Sequence, residues 1–112
     1  MEQPVPKVSE ADVERIVDRD FGKDKAAEVL SSLRGFDTGP RVRLAILKVA
    51  NGDLERLQEA GKVAIQDYRD ILSEAEYPRY MDEIGFEDTS ETLRQAVIQA
   101  DWLQYQEWLQ RK

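Results

Sequence analysis

Asp67, Asp70 and Glu74 recur at spacings of three and four residues, which would set three carboxylates on one side of a helix, with Glu76 close by. Carboxylates converging in this way suit a hard divalent cation such as magnesium, which takes oxygen ligands. The competing reading is a solvated helix face that Arg69 screens. Di-metal sites in helical bundles normally pair such acids with a Glu-x-x-His motif, and this chain has no histidine. Glu74 and Glu76, two residues apart, point in different directions on a helix, so they do not form an acid–base pair and are expected to face water. A divalent-metal-binding protein or metal-dependent enzyme built on Asp67, Asp70 and Glu74 is therefore the second reading of the function.

Cysteine is absent as well as histidine. That removes disulfides, Cys/His zinc sites, Cys-His and Ser-His-Asp nucleophiles, and imidazole acid–base catalysis. No cofactor is expected, and an enzyme is not the leading expectation. No apolar run approaches the roughly 20 residues a membrane helix needs, and the N-terminus has no signal-peptide pattern, so a cytoplasmic protein without membrane contact is expected.

The net charge is −7, but residues 34–50 carry four bases against one acid while the rest of the chain carries twelve bases against twenty-two acids. Arg34, Arg41, Arg43 and Lys48 would have to supply any nucleic-acid contact, yet Arg41 and Arg43 fall on different sides of a largely apolar helix. These bases are expected to face the acidic helices, and no nucleic-acid partner is expected.

The strongest recognition signal is "ADWLQYQEWLQ" near the C-terminus. Tryptophan and tyrosine are enriched in binding hot spots, and the final helix has more apolar width than docking on a small domain requires. Trp102, Tyr105, Trp108 and Leu109 are the expected contacts with a protein partner or a second copy of the chain, two-fold dimers being the commonest oligomers. The leading reading is thus a small non-enzymatic interaction or regulatory protein. Tyr77-Pro78-Arg79-Tyr80 poses a separate question: its rings either clamp a loop or line a cleft.

The elements that must position these residues read as one all-α domain over residues 9–112, a compact bundle of about five helices behind a flexible lead-in at residues 1–8. Ser9 and Asp12 begin the first helix, with Val13, Ile16 and Val17 inward and Val8 stapled onto it. Asp24 is expected to cap a second helix, with Ala27, Val29, Leu30 and Leu33 inward and Gly35 as its left-handed stop. Pro40 opens a third helix, apolar on two sides, and Asn51-Gly52-Asp53 turns it into the fourth, making a central antiparallel hairpin. The fourth is the longest, with Leu54, Leu57, Gly61, Ala64, Tyr68, Ile71 and Ala75 on one seam and a close helix approach at Gly61. The alternative is a break, with Asp67 capping a separate second half. Pro78 ends that helix, residues 79–87 read as a loop, and a capping box at Asp88-Thr89-Ser90-Glu91 starts the last helix.

Within Arg41–Tyr80 the pieces "LAILK", "GDLE", "DYRDIL" and "AEYP" resemble a segment of a family of small bacterial proteins of unknown function. The resemblance implies a bacterial cytoplasmic setting and brings with it no activity, ligand or catalytic residue.

Overall fold

The computed structural model describes residues 5–36, 38–83 and 90–112 and arranges them in seven helices, with no strand among the described residues. In chain order these are α1 (Glu10–Phe21), α2 (Lys23–Gly35), α3 (Pro40–Ala50), α4 (Leu54–Gln66), α5 (Tyr68–Glu76), α6 (Pro78–Glu83) and α7 (Glu91–Gln110). The chain is all-α, and the count exceeds five because the fourth helix breaks at Asp67 and because part of the loop expected after Pro78 is helical.

The first boundary is Asp67. Its backbone is extended, its side chain accepts from the Arg69 N–H at 3.0 Å, and the helix restarts behind it. A short polar side chain that can bond its own downstream backbone is the residue type suited to interrupt a helix in this way. The seam therefore holds through Leu57, Gly61 and Ala64, breaks at Asp67, and resumes in α5 with Ile71 and Ala75. Tyr68, expected on the seam, is instead 54% exposed because the break resets the helical phase.

The second boundary is Pro78. It stops α5, as its missing N–H requires, but it also begins α6, where the first residue of a helix needs no donor. The loop expected from residue 79 is thus helical as far as Glu83, and residues 84–89 lie outside the described residues, together with the expected cap at Asp88. Ser90 caps α7, accepting from the Leu93 N–H at 3.2 Å.

α3 is central, packing on α1, α4 and α5, and Leu44, Ala45, Ile46, Leu47 and Ala50 are fully buried, as a helix apolar on two sides requires. Asn51 (φ 50°) and Gly52 (φ 81°) make the left-handed turn, and the Asp53 carboxylate accepts from Glu55 and Arg56 N–H to begin α4. The Ser9 N–H donates to the Asp12 carboxylate at 3.0 Å, and Val13, Ile16 and Val17 are buried as the pattern requires.

Three local expectations are corrected. Gly22, not Asp24, separates α1 from α2, with φ 81°; Asp24 lies in the first turn of α2, where a carboxylate favours the positive end of the helix. Gly35 is the last helical residue rather than a left-handed stop. Ala27 is exposed, while Val29 and Leu33 carry the inward face and Leu30 is half-buried. Of the lead-in, residues 1–4 lie outside the described residues, Pro6 is buried and Val8 packs on the core.

The close approach expected at Gly61 is made by a ring rather than a helix backbone: a Cβ built on Gly61 would overlap the Phe36 side chain. Overpacking costs about 1–3 kcal/mol and the helix preference of alanine over glycine returns about 1. Gly61→Ala should accordingly lower stability by about 1–2 kcal/mol in urea unfolding. In a Phe36→Ala background the same change should raise it by up to about 1 kcal/mol, since only the helix preference is left.

Candidate functional site

The corner where α5 meets α6 is held by α7. Pro78 interrupts the backbone ladder there, leaving carbonyls at the end of α5 and N–H groups at the start of α6 in need of partners. Asp101, 1% exposed, supplies the acceptors: Oδ1 takes the Arg79 N–H at 3.1 Å and Oδ2 the Tyr80 N–H at 2.9 Å. One turn on, the Gln104 side-chain amide donates to the carbonyls of Ala75 and Glu76 at 3.4 Å each. A residue pair at i and i+3 on α7 thus closes both helix ends at the corner.

Beside that corner lies a small cavity lined by Pro6, Glu76, Tyr77, Ile98, Asp101, Trp102 and Tyr105. Its volume is about 20 Å³, room for roughly one water molecule. Tyr77 therefore does line a cleft, while its ring also meets Tyr80 edge-on at a centroid distance of 6.5 Å. Glu76, expected to face water, is 7% exposed and forms a two-pronged ion pair with Arg41, Nε to Oε2 at 2.8 Å and Nη2 to Oε1 at 2.6 Å. Those hydrogen bonds raise the Arg41 guanidinium above its ordinary value. The correction has a simple cause: α5 turns Ile71, Leu72, Ala75 and Glu76 inward together, and Arg41 on α3 meets the acid there.

Tyr105 is 1% exposed, and its buried hydroxyl has no hydrogen-bond partner among the described residues. Burial pushes its phenol well above the usual range, and the nearby Glu76 charge adds to the effect. The cavity therefore has two carboxylates already engaged by donors, one neutral phenol, and no room for a metabolite. That arrangement does not support acid–base chemistry.

Of the four expected contact residues, Tyr105, Trp108 and Leu109 are buried within the chain itself, and Trp102 is half-buried at the cavity wall. The Trp108 ring lies 5.5 Å from Tyr105, and the Arg19 guanidinium carbon lies 5.3 Å from the Trp108 ring centroid. Arg19 also donates to the carbonyls of Trp108 (2.6 Å) and Arg111 (2.8 Å), which ties the end of α7 to α1. Three of these side chains are thus core, corrected from surface, because α7 turns that face inward.

The acidic trio does not converge. Asp67 is engaged as the cap of α5 and by the Arg69 guanidinium at 3.0 Å, which holds its carboxyl below the ordinary range. Asp70 and Glu74 are exposed, and among the described residues no three acidic side chains lie together in a way that could hold a metal ion. The bases of α3 meet acids, as expected: Arg41 pairs with Glu76 and Arg43 with Glu10 at 2.7 Å. Lys48 is half-buried, and desolvation lowers its ammonium below the ordinary value.

Asp101, Gln104 and Pro6 are absent from the candidates that the sequence suggests, and Glu76 is there only as an acid facing water. Asp101 carried a signal: it is an acid at an apolar phase of the last helix, between Ile98 and Tyr105. Compared with known family models, with curated proteins and with solved structures, the chain matches none.

Two measurements check this site. Arg41→Met should destabilise by about 3 kcal/mol in chemical unfolding, since it strands a buried carboxylate; Glu76→Leu should cost less, because Arg41 is one-third exposed and can turn to water. For Tyr105, the unfolded chain releases the phenol proton near pH 10 while the folded chain retains it, so stability should fall as pH rises above about 10. Tyr105→Phe should flatten that alkaline limb and, by removing an unpartnered hydroxyl, raise stability near pH 7 by about 1 kcal/mol.

Proposed function

We propose that this chain is a small non-catalytic protein-interaction or regulatory module of the bacterial cytoplasm, and that its contact surface is the outer face of α7. The observation that carries the reading is the exposure of Leu93 (49%) and Leu103 (51%) on a flank of α7 that borders the buried face of Val97, Asp101, Tyr105 and Trp108. At 100° per residue, Leu93, Ala96, Ala100 and Leu103 fall within one narrow sector of the helix. An apolar stripe left outside on a helix already docked by the neighbouring face suits a protein partner or a second copy.

Other features agree. The cavity at the α5–α6 corner is too small for a metabolite, the acids at its wall are engaged by donors, and no helix among the described residues is long and apolar enough to cross a membrane. The contact residues accordingly shift by part of a turn from those the aromatic pattern suggested. Trp102 stays at the edge of the surface, while Tyr105, Trp108 and Leu109 stabilise the helix that carries it.

Replacing Leu93 and Leu103 together by glutamate should leave the melting temperature nearly unchanged, since exposed positions contribute within about 0.5 kcal/mol. It should weaken self-association or capture of a partner by roughly 30-fold, as loss of a hot-spot contact of about 2 kcal/mol would. Light scattering and affinity capture read both effects. Unchanged association in a folded double variant would remove this surface from consideration.

A further inference from the structure

The segment before α1 lies against the same cavity. Pro6 is buried while Val5 is 58% exposed and Lys7 is exposed, so a single ring is inserted from an otherwise solvated strand. That ring shares the cavity wall with Tyr77, Ile98, Trp102 and Tyr105. Beyond it, Pro6 to Ser9 run along an open groove beside Asp12, Pro40 and Arg41.

Among the described residues, Val5 to Val8 make no hydrogen bond to the rest of the chain, and the segment has no regular secondary structure. Its hold is the Pro6 ring and the half-buried Val8. A proline ring against aromatic side chains is a recognition mode in its own right. The ring restricts the free segment to extended conformations, so little conformational freedom is lost on docking, and it needs no hydrogen bond from its nitrogen.

The geometry points to the slot formed by Tyr77, Ile98, Trp102 and Tyr105 as a binding site for an extended, proline-bearing segment of another protein, which Pro6 fills from within the same chain. The occupant's chemistry is given by the segment already there: one proline in the slot, solvated neighbours, and a basic residue after it, as Lys7 follows Pro6, suited to a chain of net charge −7. Pro6 acts as an internal competitor, and a partner binds in proportion to the fraction of molecules in which it has left the slot. The site meets the outer face of α7 only at Trp102; the Leu93 and Leu103 replacements leave the slot's lining intact and Pro6→Ser leaves both leucines intact, so either surface can fail in experiment without the other.

The test uses the full chain and a synthetic peptide with the sequence of residues 2–9, EQPVPKVS, followed through the Trp102 indole resonance. Pro6→Ser should bind the peptide roughly tenfold more tightly than the wild type, because the internal competitor is weakened. The peptide EQPVSKVS, which lacks the inserted ring, should not bind. No shift at millimolar EQPVPKVS in a folded Pro6→Ser chain overturns the proposal, as does equal binding of both peptides. A concentration-dependent dimer in which two chains exchange their first segments also overturns it, since the occupant would then be a second copy. Should Pro6→Ser not fold, the wild type decides: millimolar EQPVPKVS must shift the Trp102 indole and EQPVSKVS must not, and no difference between them defeats the assignment.

Discussion

The buried carboxylate of Asp101 is the contact on which the arrangement of the second half of the chain depends. Pro78 forces a corner between α5 and α6, and a corner under α7 leaves polar backbone groups that water reaches poorly. Asp101 accepts two of the freed N–H groups and Gln104 donates to carbonyls on the other side of the corner. A buried acid is tolerable here because backbone donors and the positive end of a helix compensate its charge. The same two residues fix the rotation of α7. That helix is apolar on more than one side, so burial alone does not decide which side faces inward. Turning Leu93 and Leu103 to the core would leave the Arg79 and Tyr80 N–H groups without their acceptor.

Other cross-element polar contacts work in the same direction. Arg41 on α3 closes on Glu76 at the end of α5, and Arg19 on α1 reaches the last carbonyls of α7 while lying over the Trp108 ring. They tie the ends of α5 and α7 to the part of the core formed by α1 and α3, while Asp101 ties α7 to α6. Arg19, Arg41, Glu76 and Asp101 are thus engaged in holding helices together. Exposed apolar side chains remain along α7, at Leu93 and Leu103, and around the break between α4 and α5, at Val63, Ile65 and Tyr68.

Much of the local architecture was legible because its causes are local. Ser9 with Asp12, Asn51-Gly52, Asp53 and Pro40 act within a few residues of themselves, and each starts or stops a helix where its type demands. The inward positions of α1 and α3 followed from periodicity for the same reason. Where two local signals compete, the sequence alone does not rank them. The apolar seam through Tyr68 argued for one long helix, while Asp67 offered a cap; the cap prevailed and reset the phase. Pro78 stops α5, and the property that stops one helix also allows it to begin another.

The sequence by itself therefore determined the all-α class, the central hairpin and most helix starts, and it ruled out the chemistry of histidine and cysteine, because composition, period and caps are properties of neighbours along the chain. Tertiary structure decided which of the two stripes on α7 is buried, that Glu76 and Asp101 are interior, that Phe36 uses the space above Gly61, and that Pro6 joins Tyr77, Trp102 and Tyr105 at one cavity. Each of these depends on a partner more than twenty residues away. A periodicity can show that a helix has two apolar sides, but only the position of a distant donor, acceptor or ring selects between them.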